Sequence, residues 1–243
     1  MANYIFGIRP VIEALKSGKE IDKVLVKKNL TGSLVSELYA ELKKNGLKAQ
    51  FVPAERIDKI SKANNQGVVA YVSPISYYDL EDLLSEKFDE EKNPLIIILD
   101  GVTDVRNFGA ISRTAECMGA DAIVIPRDNS VRVTEDAIKT SAGALYNIPV
   151  CKVENLVDTV ILVQQMGLNV VAASEKSYKN LFESDLKQPT AIVMGAEDKG
   201  VSQQLIRRIK DVYKIPTSGK TDSLNVSVAA GMFLYEALRQ RSE

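Results

Sequence analysis

Three runs of this 243-residue chain gather glycine with Asn, Arg, Glu and Ser more densely than simple turns require. Asp100 to Thr114 carries Gly101, Asn107, Gly109 and Arg113; Gly195 to Val201 carries Glu197 and Gly200; Pro216 to Ala229 carries Ser223, Leu224, Asn225 and Ser227. Each follows an apolar run, at Leu95–Leu99, Ala191–Met194 and Val212–Ile215. Uniform apolar runs suit strands buried on both faces of a parallel sheet, and ligands of such sheets sit outside the carboxyl ends of the strands. The three loops are therefore the candidate site. Arg113 offers a planar fork for a phosphate or a developing oxyanion. Asn107, Ser223 and Asn225 offer neutral donors and acceptors, Glu197 a carboxylate that orients Arg113 or Asn107, and Gly195 and Gly200 a close approach of backbone to a ligand. Each residue also has a plain structural use. Asn107, Ser223 and Asn225 suit helix caps and Glu197 a first-turn carboxylate, while Ile215 and Leu224 suit core packing.

The composition excludes several chemistries. The chain has no histidine, so it builds neither a Ser-His-Asp nor a Cys-His nucleophile and offers no imidazole to a metal. Two cysteines, Cys117 and Cys151, are too few for a Cys-rich zinc site. They read as free thiols of a reducing compartment, with Cys117 expected as a small buried apolar residue in a helix. No two glycines stand in G-x-G spacing, which removes the dinucleotide fingerprint. Gly195 and Gly200 have the spacing of a phosphate loop, but Val201-Ser202 follows where Lys-Ser/Thr would be needed. No signal peptide is evident, and the apolar runs are too short to span a bilayer, so a cytoplasmic protein is expected.

The elements that position these loops follow from periodicity. Residues 1–73 alternate helical and strand patterns: a helix from Pro10 towards Gly18, a strand at Lys23–Val26, a helix over Ser33–Lys44, and strands at Lys48–Val52 and Val68–Val72. Their 12 Lys+Arg against 7 Asp+Glu give a positive balance, and Lys23, Lys27, Lys28, Lys43, Lys44 and Lys48 read as a solvated face or as a basic stripe for a polyanion. Residues 74–93 hold 2 basic and 7 acidic residues between two prolines and read as an acidic linker with a short helix near Leu80–Leu84. Residues 94–243 add strands at Ala122–Ile125 and Val170–Ala173, with helices at about 110–118, 156–166 and 203–209 and a final helix from near Ser223 to Arg241. The fold class is α/β: a small N-terminal α/β domain and a C-terminal parallel-sheet domain.

The three strand-end motifs resemble those of the SpoU/TrmH family, which transfers a methyl group from S-adenosylmethionine to a ribose 2′-hydroxyl in RNA. The opening Ile5-Phe6-Gly7-Ile8-Arg9-Pro10-Val11-Ile12-Glu13-Ala14-Leu15 and the later Asn65-Gln66-Gly67-Val68 resemble the small RNA-binding domain of its bacterial 23S rRNA guanosine-2′-O-methyltransferase branch. The chain carries Val105-Arg106 where the family commonly has Pro-His or Pro-Gly before the motif asparagine, and Asn65 where it often has His. The resemblance implies a SPOUT-type domain with a trefoil knot, rRNA as substrate and a homodimer. It implies S-adenosylmethionine as methyl donor and no metal. It assigns Asn107, Arg113, Glu197, Ser223 and Asn225 to catalysis, and Gly195, Gly200, Ile215, Leu224 and Asn225 to the cofactor. A tRNA 2′-O-methyltransferase and a non-catalytic RNA-binding protein of the same fold are the alternatives.

Overall fold

The computed structural model describes residues 4–219 and 223–242. The chain divides into two compact units. One comprises residues up to Ser76 with Arg132–Glu135; the other comprises Tyr77–Val131 and the chain from Asp136 onward.

The first unit contains β1 (Tyr4–Phe6), α1 (Ile8–Lys16), β2 (Ile21–Lys27), α2 (Ser33–Lys44), β3 (Ala49–Val52), α3 (Ala54–Ile60) and β4 (Val68–Val72). Its sheet runs in the order β1-β4-β2-β3; β2 and β3 are parallel and the other pairs antiparallel. Alternation along the strands sorts the side chains by face. Val24, Val26, Val68 and Ala70 pack with Val11, Ile12, Leu38 and Leu42 of α1 and α2, whereas Leu25 and Val69 pack with Ile57 of α3. β1 and α3 are absent from the sequence expectation, because three and seven residues are too short for a period to show.

The chain continues through α4 (Leu80–Asp89), β5 (Leu95–Asp100), α5 (Val105–Cys117), β6 (Ala122–Pro126), α6 (Glu135–Thr140), β7 (Val150–Val153), α7 (Leu156–Gln165), β8 (Asn169–Ala173), β9 (Thr190–Gly195), α8 (Gln203–Ile206), β10 (Asp211–Tyr213) and α9 (Val226–Arg241). Six parallel strands are ordered β10-β8-β9-β5-β6-β7. Ile96, Ile98, Val124, Val170 and Val193 pack against Leu84, Val160, Val163 and Leu205 of α4, α7 and α8. After β10 the chain returns to lay α9 against α5 and β9. Arg241, at the end of α9, donates to the carbonyls of Asn93, Pro94, Leu186 and Gln188 at 2.6–3.4 Å, which ties the helix to the residues leading into β5 and β9. No helix among the described residues is long and apolar enough to cross a membrane.

Further details differ from the sequence expectation. The acidic stretch expected as a linker contributes α4 to the second unit: Asp79 caps the helix, Leu80, Leu83 and Leu84 enter the core, and Glu81, Asp82 and Glu86 stay exposed. β7 was not expected because Lys152 interrupts its apolar run. The last helix begins at Val226 rather than near Ser223, because Asn225 is its cap. Cys117 is exposed, since the buried face of α5 is formed by Phe108, Ile111, Ser112 and Ala115. The buried thiol is that of Cys151, pushed up to about 12 by burial and then by the charge of Asp79.

Candidate active site

The three polar loops lie at the ends of β5, β9 and β10, and the last two line a cleft of about 490 Å³. That volume lies in the range of small-molecule sites, about 300–1,000 Å³. Gly195, Gly200, Ile215 and Leu224, four of the five residues expected at the cofactor, line it together with Glu197 and Ser223; the fifth, Asn225, does not. Met194, Val226 and Phe233 add apolar wall beside the polar loops, the mixed lining usual for a small-molecule site.

Gly195 is required for a reason the sequence does not reveal. A Cβ placed on it would stand 2.0 Å from the carbonyl carbon of Gly200 and from the nitrogen of Val201. The glycine lets the loop fold back onto the strand that precedes it, closed by the Gly200 N–H donating to the Ala196 carbonyl at 2.8 Å. Gly200 itself has φ of 65°, the left-handed conformation that glycine adopts at least cost. A carboxylate oxygen of Asp100, at the end of β5, accepts from the Ser202 N–H at 2.7 Å and fixes the far side of the same loop. Asp100 was not among the expected site residues; its sign in the sequence is a lone carboxylate closing an apolar strand.

Asn225 joins the loops. Its Nδ2 donates to Oδ1 of Asn107 at 3.1 Å and to Oε1 of Glu197. Its Oδ1 accepts from the N–H of Ser227 at 2.9 Å and from the Ser227 hydroxyl at 2.6 Å, which caps α9. One side chain therefore both caps α9 and bonds residues of the other two loops. Asn107 is released from capping because Asp104 caps α5, accepting from the N–H groups of Arg106 and Asn107 at 2.9 Å each. Glu197 reaches Asn107 through Asn225. Arg113 stands apart from this cluster: it is exposed on α5, six residues beyond Asn107, and is not part of the cleft wall. Ser223 is exposed at the cleft and precedes the helix it was expected to cap.

In the first unit the two motif segments also meet. The Gly7 N–H donates to the Val68 carbonyl at 2.9 Å, and the Ile8 N–H to Oε1 of Gln66 at 3.0 Å. Asn65 is buried; its Oδ1 accepts from the Gly67 N–H at 2.8 Å, and its Nδ2 donates to Asp58 and to the Ser61 carbonyl. Among the lysines of the expected stripe, Lys27, Lys28, Lys43, Lys44 and Lys48 are exposed. Lys23 is half-buried, its ammonium pushed down by burial and then by the charges of Arg132 and Arg56.

The SpoU rRNA Methylase family matches residues 94–235, and the family described as RNA 2′-O ribose methyltransferase substrate binding matches residues 4–78. A Bacillus subtilis (strain 168) protein placed in the TrmH family of tRNA/rRNA methyltransferases is 35% identical over 240 residues, which cover 99% of this chain and 96% of that protein. A Staphylococcus saprophyticus protein placed in the same family is 35% identical over 239 residues, covering 98% and 96%. Among solved structures, the AdoMet-bound rRNA methyltransferase from Sinorhizobium meliloti has a TM-score of 0.63 at 27% identity, covering 98% of this chain and 87% of that one. The SpoU methyltransferase AviRb from Streptomyces viridochromogenes, at TM-score 0.62 and 24% identity, shares the fold. Matched in this way along both of its units, the chain belongs to the SpoU/TrmH family of S-adenosylmethionine-dependent RNA methyltransferases.

Proposed function

We propose that the protein methylates the 2′-hydroxyl of a ribose in ribosomal RNA, at a guanosine of 23S rRNA, in the cytoplasm. The observation that carries this reading is the Asn225 side chain, which ties Glu197 and Asn107 together beside a cleft of cofactor size. S-adenosylmethionine supplies a methyl already activated on a positively charged sulfur, so the reading needs no metal. Gly195, Gly200, Ile215 and Leu224 form the wall that would hold it. The remaining work of the chain is alignment of the ribose oxygen and removal of its proton.

Arg113 holds the ribose-phosphate or stabilises charge on the ribose oxygen. A guanidinium with a pKa above about 12 is a stabiliser rather than a base. Ser223, exposed at the cleft, is the group that orients the hydroxyl or accepts its proton. The Glu197–Asn225–Asn107 chain of hydrogen bonds keeps the strand ends in register for both.

A homodimer completes the proposal. α9 buries Val226, Ala230, Phe233 and Ala237 and leaves Val228, Met232 and Tyr235 on the opposite face, 47%, 42% and 57% exposed. A second copy covers this apolar stripe. The match of residues 4–78 to a substrate-binding family and the rRNA methyltransferase from Sinorhizobium meliloti support rRNA as the target. Methylation of tRNA is the second reading, favoured by the tRNA/rRNA naming of the Bacillus subtilis relative.

The test is transfer of a labelled methyl from S-adenosylmethionine to rRNA and to tRNA from a strain lacking the gene, followed by digestion to nucleosides. The expected product is 2′-O-methylguanosine in 23S rRNA. Label confined to tRNA supports the second reading, and label on a base contradicts both.

A further inference from the structure

Beside the cofactor cleft lies a second cleft of about 410 Å³, which shares Ser174, Glu175, Lys176, Lys199 and Gly200 with it. Lys179, Lys210 and Tyr178 line only the second. Four lysines therefore line it, against a single carboxylate, that of Glu175. Lys179 is engaged with Asp211 at 3.0 Å, which leaves Lys176, Lys199 and Lys210 as the cations directed to a ligand. Arg207 and Arg208, exposed just past α8, precede Lys210 in the chain.

Tyr178 is 97% exposed, yet its loop is anchored. The Ser177 hydroxyl donates to the Val212 carbonyl at 2.6 Å, the Lys179 N–H to the Ser177 hydroxyl at 3.1 Å, and the Lys214 N–H to the Lys179 carbonyl at 2.9 Å. The ring is thus held out from a fixed turn, with a lysine on each side of it in the sequence. Cations that track a backbone beside an aromatic ring open to solvent form the stacking platform of single-stranded nucleic acid. A base in a duplex has both faces covered by its neighbours, so such a ring selects an unpaired base. An acidic peptide would satisfy the lysines but would have no use for the flat ring.

We infer that this cleft binds a single-stranded stretch of RNA, its lysines neutralising phosphates and Tyr178 stacking on one unpaired base, directly beside the cofactor cleft. The inference rests on the proposed function and deepens it: the strand around the target ribose is unpaired and follows the lysine cleft.

The test uses the full chain with a labelled oligouridylate, the same strand paired to oligoadenylate, and an oligoglutamate of equal charge. Tyr178→Ala is expected to weaken binding of the single strand about tenfold and to leave the duplex within twofold. Lys210→Ala is expected to lower the slope of log affinity against log salt by about 0.7, one phosphate contact on a single strand. Both variants are expected to keep S-adenosylmethionine affinity and melting temperature, since neither residue lines the cofactor cleft. Single-strand binding unchanged in both variants would overturn the inference, as would oligoglutamate binding that matches oligouridylate and falls equally with Lys210→Ala. Methyl transfer to rRNA by the wild-type chain keeps the two proposals apart. A chain that transfers no methyl overturns the proposed function, whereas transfer with oligouridylate binding indifferent to both substitutions overturns only the cleft.

Discussion

The N-terminal and C-terminal units both carry motif asparagines, and they use them in opposite ways. Asn65 is buried, and its three hydrogen bonds run to Asp58, Ser61 and Gly67, all within seven residues of it. Asn225 lies at the surface, and its Nδ2 reaches side chains 118 and 28 residues away, those of Asn107 and Glu197. The first pattern fixes a loop of backbone; the second couples the ends of strands that lie far apart in the sequence. Asn65 is engaged within its own loop, whereas Asn225, Asn107 and Glu197 bond one another through their side chains across the fold. Distance along the chain is not the whole difference: Gln66 accepts from the Ile8 N–H 58 residues away, but that partner is backbone, whereas Glu197 accepts from a side-chain amide.

This comparison is broken most severely at Gly195. Gly195→Ala places a Cβ against the backbone of Gly200 and Val201, so the loop must leave the strand. S-adenosylmethionine affinity, read by calorimetry, is expected to fall at least about a hundredfold, with a melting temperature several degrees lower. The next largest effect is expected at Arg113. Arg113→Lys keeps the charge and loses the planar fork, so single-turnover methyl transfer is expected to fall by about a hundredfold while cofactor and RNA affinities stay within a few-fold. A rate within a few-fold of wild type would make Arg113 merely positional and leave Ser223 to manage the proton. Asn65→Ala sharpens the contrast from the other side. It takes the acceptor from the half-buried Gly67 N–H and the donor from the Ser61 carbonyl, at a cost of about 1–3 kcal/mol of stability in denaturant titration, and is expected to leave the rate of methyl transfer at saturating RNA unchanged.

Much of this was legible before the structure. β5, β6, β8 and β9 announce themselves because strands buried on both faces read as unbroken apolar runs, and α2 because Val35, Leu38 and Leu42 recur at helical spacing. The edge strand β7 is masked by Lys152, and the core role of Leu80, Leu83 and Leu84 by the acidic residues around them. The candidate loops were also legible, since glycine and polar residues crowd the ends of three strands, and two of these loops line the cleft. Their connections were not, because a separation of 118 residues leaves no period to detect. The reason for Gly195 was legible only in part: the cleft is there, but the glycine is demanded by a backbone contact within the loop. The knot was expected from the resemblance alone, because periodicity reports which face is apolar and not how a chain passes through its own loops.

Asn225→Asp tests most directly whether the coupling of the strand ends, rather than the capping of α9, is what the site requires. Aspartate caps a helix as well as asparagine, so the Ser227 N–H keeps its acceptor and the melting temperature should stay within a few degrees. The same change replaces the amide donor by a carboxylate facing Glu197 and Asn107, which removes both hydrogen bonds and sets like charges against each other. Single-turnover methyl transfer from S-adenosylmethionine to RNA should then fall by at least about a hundredfold in a protein as stable as wild type. A transfer rate within a few-fold of wild type would contradict the account and reduce Asn225 to a helix cap.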